Sequence, residues 1–292
     1  METEPEGRTC PERRWVVGGA LYVVGTPIGN LSDMAPRALA VLREVDGILA
    51  EDTRTSGPWL RREGVTAPIQ SYHAHSPEAA RDAAVARLAS GEALALVSDA
   101  GLPGVSDPGQ RLVARAWEAG CRVVPVPGPN AALTAFQASG FSLPMTLWGF
   151  LAARGRARRT EAQRVVDGLG TQVLYEAPHR IRELVELLHE LTAPVRPLMI
   201  AREMTKLHEE LWRGTVAGAV QRVGETGPQG EYTVVLGPAP TLEQSPPDWD
   251  AVLKEVDALV SQGVPLSAAC REVGSRFDVA RREVYRRMTL RV

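Results

Sequence analysis

Acidic and polar side chains recur just after short apolar runs. Glu51, Asp52 and Arg54 follow Gly47–Ala50, His73 and His75 follow residues 68–72, and Ser98 and Asp99 follow residues 93–97. The third group opens a loop, 98–109, that carries Gly101, Pro103, Gly104, Pro108 and Gly109. Glycine lets backbone approach a ligand closely, and proline stiffens the turn around it. The loop contains neither GxGxxG nor GxxxxGK[ST], and its charges are Asp99 and Asp107, with no Lys or Arg. A phosphate finds no cation there, whereas ammonium, sulfonium or ribose hydroxyl groups find acceptors. Two further loops have the same Gly/Pro/Asn chemistry, one with Thr26, Pro27 and Asn30 and one with Gly128, Asn130 and Ala131. His73 and His75 share a strand face, but no third ligand stands at metal spacing, so no metal is expected.

Positioning these groups requires a regular scaffold, and the hydrophobic pattern supplies one. Apolar runs at 20–24, 47–50, 68–72, 93–97 and 122–126 alternate with segments of helical period, such as Ala38, Val41, Leu42 and Val45. Alternation of this kind predicts a mostly parallel sheet with right-handed crossovers and helices on both faces. Ligands of such folds bind at the carboxyl edge of the strands. That edge gathers Thr26, Asn30, Glu51, Asp52, Arg54, His73, His75, Asp99 and Asn130.

The pattern resets near residue 142. Strands are expected at 172–175, 198–201, 207–212 and 232–236, and helices at 180–191 and 216–223, a second α/β domain of mixed sheet. A Pro-rich stretch, 238–248, reads as a linker. Beyond it lie a helix at 249–260 and two short helices within 266–288, with Asp278 as the expected cap of the last. The fold class is thus α/β, as two α/β domains (19–141 and 142–237) plus a small C-terminal helical module (249–292). Residues 1–18, polar and charged, read as a disordered tail.

The chain has 292 residues and a formal charge of −2, too long for one minimal domain and neutral toward nucleic acid as a whole. Cys10, Cys121 and Cys270 are far apart and form no disulfide or metal pattern. No apolar run reaches membrane-spanning length and no signal-type segment stands near the start, so a cytoplasmic protein is expected, with no membrane partner. The charge is unevenly spread. Residues 151–166 carry Arg154, Arg156, Arg158, Arg159 and Arg164 against Glu161, a net +4. Residues 264–292 carry seven arginines, among them Arg281, Arg282 and Arg286, against three acids, also +4. Two such islands in a chain of −2 leave the remainder at −10, which points to a polyanion docking at chosen places.

Read together and in order, several motifs resemble one family. They are ValGlyThrProIleGlyAsnLeuSerAsp at 24–33, AlaGluAspThrArg at 50–54, ValSerAspAlaGly at 97–101, ProGlyProAsnAla at 127–131, TyrGluAlaProHisArg at 175–180, AlaArgGluMetThrLys at 201–206 and GlyGluTyr at 230–232. The series is similar to the RsmI family, the small-subunit ribosomal RNA methyltransferases I, a branch of the tetrapyrrole-methylase superfamily. Leu102, Ala177 and Gln229 stand where members usually carry Thr, Ser or Thr, and Lys. The resemblance implies S-adenosylmethionine in a cleft between two α/β domains, a homodimer, and 2′-O-methylation of a cytidine in the decoding region of 16S ribosomal RNA.

It also implies the following roles. Thr26, Pro27, Ser98, Asp99, Ala100, Gly101, Leu102, Gly128, Asn130, Ala131, Tyr175 and Glu176 would hold the cofactor. A ribose hydroxyl must lose its proton as the methyl bond forms, which calls for a base or for a cation beside the developing alkoxide. Lys206 or Arg54 would supply the cation, and Glu51 or Asp52 would act as base or orienting group. Arg154, Arg156, Arg158, Arg159, Arg281, Arg282 and Arg286 would meet RNA phosphates. Two alternatives share these features in part: a precorrin-type tetrapyrrole methyltransferase on the same scaffold, and a non-enzymatic RNA-binding protein.

Overall fold

Five short strands, β1 Ala20–Val24, β2 Gly47–Ala50, β3 Ile69–Ser71, β4 Leu94–Val97 and β5 Arg122–Val126, form the first sheet. The chain is described here from a computed structural model covering residues 15–226, 229–240, 247–277 and 279–290. Most of the expected tail, part of the linker and the Asp278 cap lie outside the described residues.

The strand order is β3-β2-β4-β1-β5, and every pairing is parallel. Strand β4 sits at the centre, which explains its uninterrupted Leu-Ala-Leu-Val: all four residues are buried, because helices cover both faces. Alternate side chains go to opposite sides. Ala95 and Val97 pack with Ala38, Val41 and Leu42 of helix α1 (Pro36–Glu44) and Leu60 of α2 (Thr53–Arg62). Leu94 and Leu96 pack with Val85 and Leu88 of α3 (Glu78–Ala89) and Leu112 and Ala116 of α4 (Gln110–Glu118).

Helix α5 (Ala131–Ser139) leaves the end of β5 but buries Ala132 and Ala135 against Val173, Met199 and Val235 of the second sheet. That sheet contains β6 Met145–Phe150, β7 Thr171–Glu176, β8 Pro197–Arg202, β9 Glu210–Thr215 and β10 Tyr232–Leu236, in the order β6-β7-β10-β8-β9. Strand β10 runs antiparallel to both its neighbours. Its first residues therefore meet the last residues of β7 and β8, with Tyr232 opposite Glu176 and Arg202. The other face is covered by α6 (Gly155–Asp167), α7 (Ile181–Leu191) and α8 (Val216–Thr226). Strand β6 was not expected from the sequence, and β9 lies three residues later than the strand expected at 207–212.

The described residues up to 239 form one compact unit, and those from 240 onward a second. The second contains α9 Trp249–Ser261, α10 Leu266–Arg276 and α11 Arg281–Thr289 around Val252, Val256, Cys270, Val273 and Val284. Asp248 caps α9, accepting from the Asp250 and Ala251 amides.

Candidate active site

The loops after β1, β4 and β5 lock onto one another. The Thr26 amide donates to the Gly101 carbonyl at 2.8 Å and the Gly101 amide to the Thr26 carbonyl at 3.2 Å. The Thr26 hydroxyl donates to the Ser98 carbonyl at 3.2 Å. Gly25 and Gly128 are packed backbone to backbone, where a Cβ on either would lie 2.7 Å from the other. Only glycine permits that approach. Asn130 accepts from the Leu133 amide and caps α5, and the Ala132 amide donates to the Tyr175 hydroxyl at 3.3 Å.

These contacts border a half-open cavity of about 350 Å³ between the carboxyl edges of the two sheets. Ala100, Gly101, Leu102, Asn130, Ala131, Tyr175 and Glu176 line it, and so do Ile28, Met204 and Thr233. Asp107, Glu176 and Glu231 are its charged lining residues, and no Lys or Arg lies among them. Thr26, Ser98 and Gly128 stand behind the lining and shape it. Pro27 and Asp99 also fall outside it; the Asp99 carboxylate instead accepts from the Asp52 amide at 3.2 Å. Two of the departures from the family pattern, Leu102 and Ala177, face this cavity.

The four residues expected to carry the chemistry separate here. Asp52 caps α2, accepting from the Arg54 amide, and also pairs with the Arg54 side chain at 2.7 Å. Hydrogen bonds from Arg54 hold its carboxyl down at about 2. Arg54 itself points to solvent, 90% exposed. Lys206 is bound by Glu203 at 2.8 Å and Glu231 at 3.0 Å. Burial opposes its charge, but these two carboxylates outweigh it and leave its pKa raised. Of the four, Glu51 lines a neighbouring cavity.

That cavity is a second one, also of about 350 Å³, bounded by the end of β3, α3 and the start of α4. Tyr72, His73, Arg81 and Arg111 line it together with Glu51. Ser106 and Asp107 line both cavities. Ser106 holds a left-handed φ of 67° and abuts Gly149 of β6, where a Cβ would come within 2.7 Å of its hydroxyl. Asp107 was absent from the sequence-derived roles. Burial and the charge of Glu51 push its carboxyl up to about 7, with Asp99 adding to the shift and the Ser98 hydroxyl opposing it. Burial likewise raises the carboxyls of Glu51 and Asp99 from their ordinary values. The available signal was the second acid of a loop without cations.

The basic island on α6 divides. Arg154 and Arg156 are exposed, and Arg159 pairs with Glu190 at the surface. Arg158 departs from its expected RNA role. It is 1% exposed and pairs with Glu176 at 2.7 Å, so a phosphate cannot reach it. Arg180 meets the other oxygen of Glu176 at 2.9 Å. In the C-terminal unit Arg281 and Arg282 are exposed, while Arg286 pairs with Glu283.

Residues 20–220 match the family model for tetrapyrrole (corrin/porphyrin) methylases. The ribosomal RNA small subunit methyltransferase I of Synechocystis sp. is 41% identical over 91% of this chain and 96% of its own length. The protein of that name from Bacillus subtilis is 37% identical over 91% and 93%. Among solved structures, the methyltransferase CobJ superposes with a TM-score of 0.58 at 20% identity, covering 76% of this chain and 95% of that one. A uroporphyrin-III C-methyltransferase from Thermus thermophilus, complexed with S-adenosylhomocysteine, gives 0.54 at 17% identity, covering 75% and 97%.

Proposed function

The chain belongs to the ribosomal RNA small subunit methyltransferase I family of the tetrapyrrole methylases, and from that premise we propose that it methylates the 2′-oxygen of a cytidine ribose in 16S ribosomal RNA. It is a methyltransferase that uses S-adenosylmethionine. One observation carries the assignment of the first cavity to this cofactor: a half-open, mainly apolar space whose lining carries the carboxyls of Asp107, Glu176 and Glu231, the last two paired from behind with arginines and Lys206, and no Lys or Arg of its own. A ligand with sulfonium and ammonium charges suits that lining, and a phosphate does not. Tyr175 and Asn130 offer the polar groups that fix orientation, and the Ala100–Leu102 backbone can approach closely beside Gly101, whose φ is 80°. When bound, the cofactor supplies an electrophilic methyl group for in-line displacement. The protein contributes alignment, and well-oriented pairs reach effective molarities of about 10⁵–10⁸ M.

Acidic residues around the cavities favour an acceptor that must be deprotonated, as a ribose hydroxyl must be. Exposed Arg154, Arg156, Arg281 and Arg282 supply phosphate contacts, so binding should weaken with salt. The protein acts in the cytoplasm, as a homodimer, on the small ribosomal subunit.

The test is a pair of RNA substrates differing only in the 2′-hydroxyl of the target cytidine. Both should bind, with salt-sensitive affinity, because the phosphate contacts persist. The ribose form should yield 2′-O-methylcytidine by nucleoside mass spectrometry, and the deoxy form should accept no methyl group. A methylated base in the deoxy form would replace this reading with base methylation.

A further inference from the structure

We propose that Arg81 and Arg111, in the second cavity, form a phosphodiester site that grips the backbone of the substrate RNA beside the target nucleotide. This deepens the RNA reading above and rests on it. The second cavity holds Arg81, Arg111, Tyr72 and His73, where the cofactor cavity has no Lys or Arg. Arg81 lies in the first turn of α3 and Arg111 in the first turn of α4. The two helices pack through Val85, Leu88, Leu112 and Ala116 and are tied by Arg115 and Asp82 at 3.2 Å. One firm pair of helices therefore carries both guanidiniums. Tyr72 is buried beside them, its hydroxyl pKa raised by burial against the charges of Arg81 and Arg111.

Neither arginine is committed elsewhere. Arg115, one turn along α4, pairs with Asp82 and Glu118, whereas Arg111 has no carboxylate partner among the described residues. Arg81 has Glu78 at 3.2 Å, but that side chain is 82% exposed, and such a pair contributes little. Arg81 itself is 16% exposed, so its attraction for an anion is only partly screened. Helix α4 starts at Gly109 with no side-chain cap, and Pro108, Gly109 and Gln110 line the same cavity. The amides of that first turn add to the attraction. Glu51 and Asp107 also line the cavity and oppose an anion, so the phosphate belongs at the end built by the two helices. A planar guanidinium offers paired N–H donors that match two phosphate oxygens. Ser106 and Asp107 form a wall common to both cavities, which brings a strand held by Arg81 and Arg111 alongside the cofactor cavity while that wall stays with the cofactor.

The experiment uses the full chain, S-adenosylmethionine and small subunits that lack the modification. Arg111→Ala should raise the subunit concentration for half-maximal single-turnover rate by about 10–100-fold. It should also lower the slope of log affinity against log salt by about one. Arg81→Ala should act in the same direction. Arg111→Lys, which keeps the charge without the paired donors, should recover the salt slope and only part of the affinity. Arg122→Ala, exposed at the opposite edge of the sheet where β5 begins, should leave both readings as in wild type. Calorimetric cofactor affinity should stay within about threefold in every variant, which also certifies folding. Wild-type half-saturation in Arg111→Ala overturns the proposal, as does a loss of cofactor affinity matching the loss of subunit affinity. An equal effect of Arg122→Ala overturns it too, since general charge then suffices. Failure of the wild-type chain to methylate small subunits would overturn the RNA reading itself, and so is distinguishable.

Discussion

The charged groups on the two sheets near the cofactor cavity fall into two clusters built on opposite principles. On the first sheet, Glu51, Asp99 and Asp107 crowd together with raised pKa values, and burial is the leading cause in each. On the second, Glu176 is held by Arg158 and Arg180, and Lys206 by Glu203 and Glu231. Ion pairing with Lys206 leads the lowering of the Glu203 pKa. Compensated charges set geometry. Uncompensated acids are poised to exchange protons, and such perturbed groups gather at reactive sites. The two sheets thus differ in how their acids are held: paired on the second, crowded and unpaired by cations on the first.

The sharpest way to break this contrast is to remove a compensating partner. Arg158→Met leaves Glu176 buried and short of a charge, and should cost about 3–5 kcal/mol of stability by denaturant unfolding. A loss below about 1 kcal/mol would mean that the pair is not structural.

The opposite manipulation should help stability. Between about pH 4 and pH 7 the folded chain keeps a proton on Asp107 that the unfolded chain has released. Stability must then fall as pH rises through that window, because the native state binds more protons. Asp107→Asn removes this share of the fall. Thermal unfolding should find the variant more stable than wild type at pH 8, by about 1–2 kcal/mol after discounting for solvent screening, and no more stable at pH 3.5. Equal stability at pH 8 would place Asp107 among the compensated groups.

The smallest effect belongs to Lys206, 28% exposed and doubly paired near the cavity mouth. Lys206→Ala should cost under about 1 kcal/mol and slow single-turnover methylation by less than about tenfold, through the release of Glu231. A loss of about a hundredfold or more would give Lys206 the direct role beside the alkoxide.

What could be read from the sequence follows from which forces are local. Strand β4 announced itself because a strand buried on both faces must be apolar throughout. Strand β6, Met-Thr-Leu-Trp-Gly-Phe, carries a register shift at Gly149, and the irregularity hid its period. Arg158 was read as one more charge in a solvated run. Its spacing to Ala162 and Val165, also buried, is the i, i+4, i+7 stripe that marks the inward face of α6. Asp107 precedes Pro-Gly and has the local chemistry of a turn. Its neighbours Glu51 and Asp99 come from other strand ends, so its setting exists only after the sheet closes. The Arg54–Asp52 pair shows the reverse: two residues apart in sequence, it was read for its chemistry, and the structure also uses Asp52 to cap the start of a helix.

The antiparallel course of β10 also bears on the order in which the protein is made. The first sheet is complete once residue 126 has been synthesised, and its loops can settle early. The second sheet has its outer strands by residue 215 but lacks its centre until β10 arrives at 232–236. Until then β7 and β8 present facing unpaired edges to the surroundings, the kind of edge that recruits foreign strands. Because chains emerge at about 5–20 residues per second, that exposure lasts on the order of seconds on every ribosome that makes the protein.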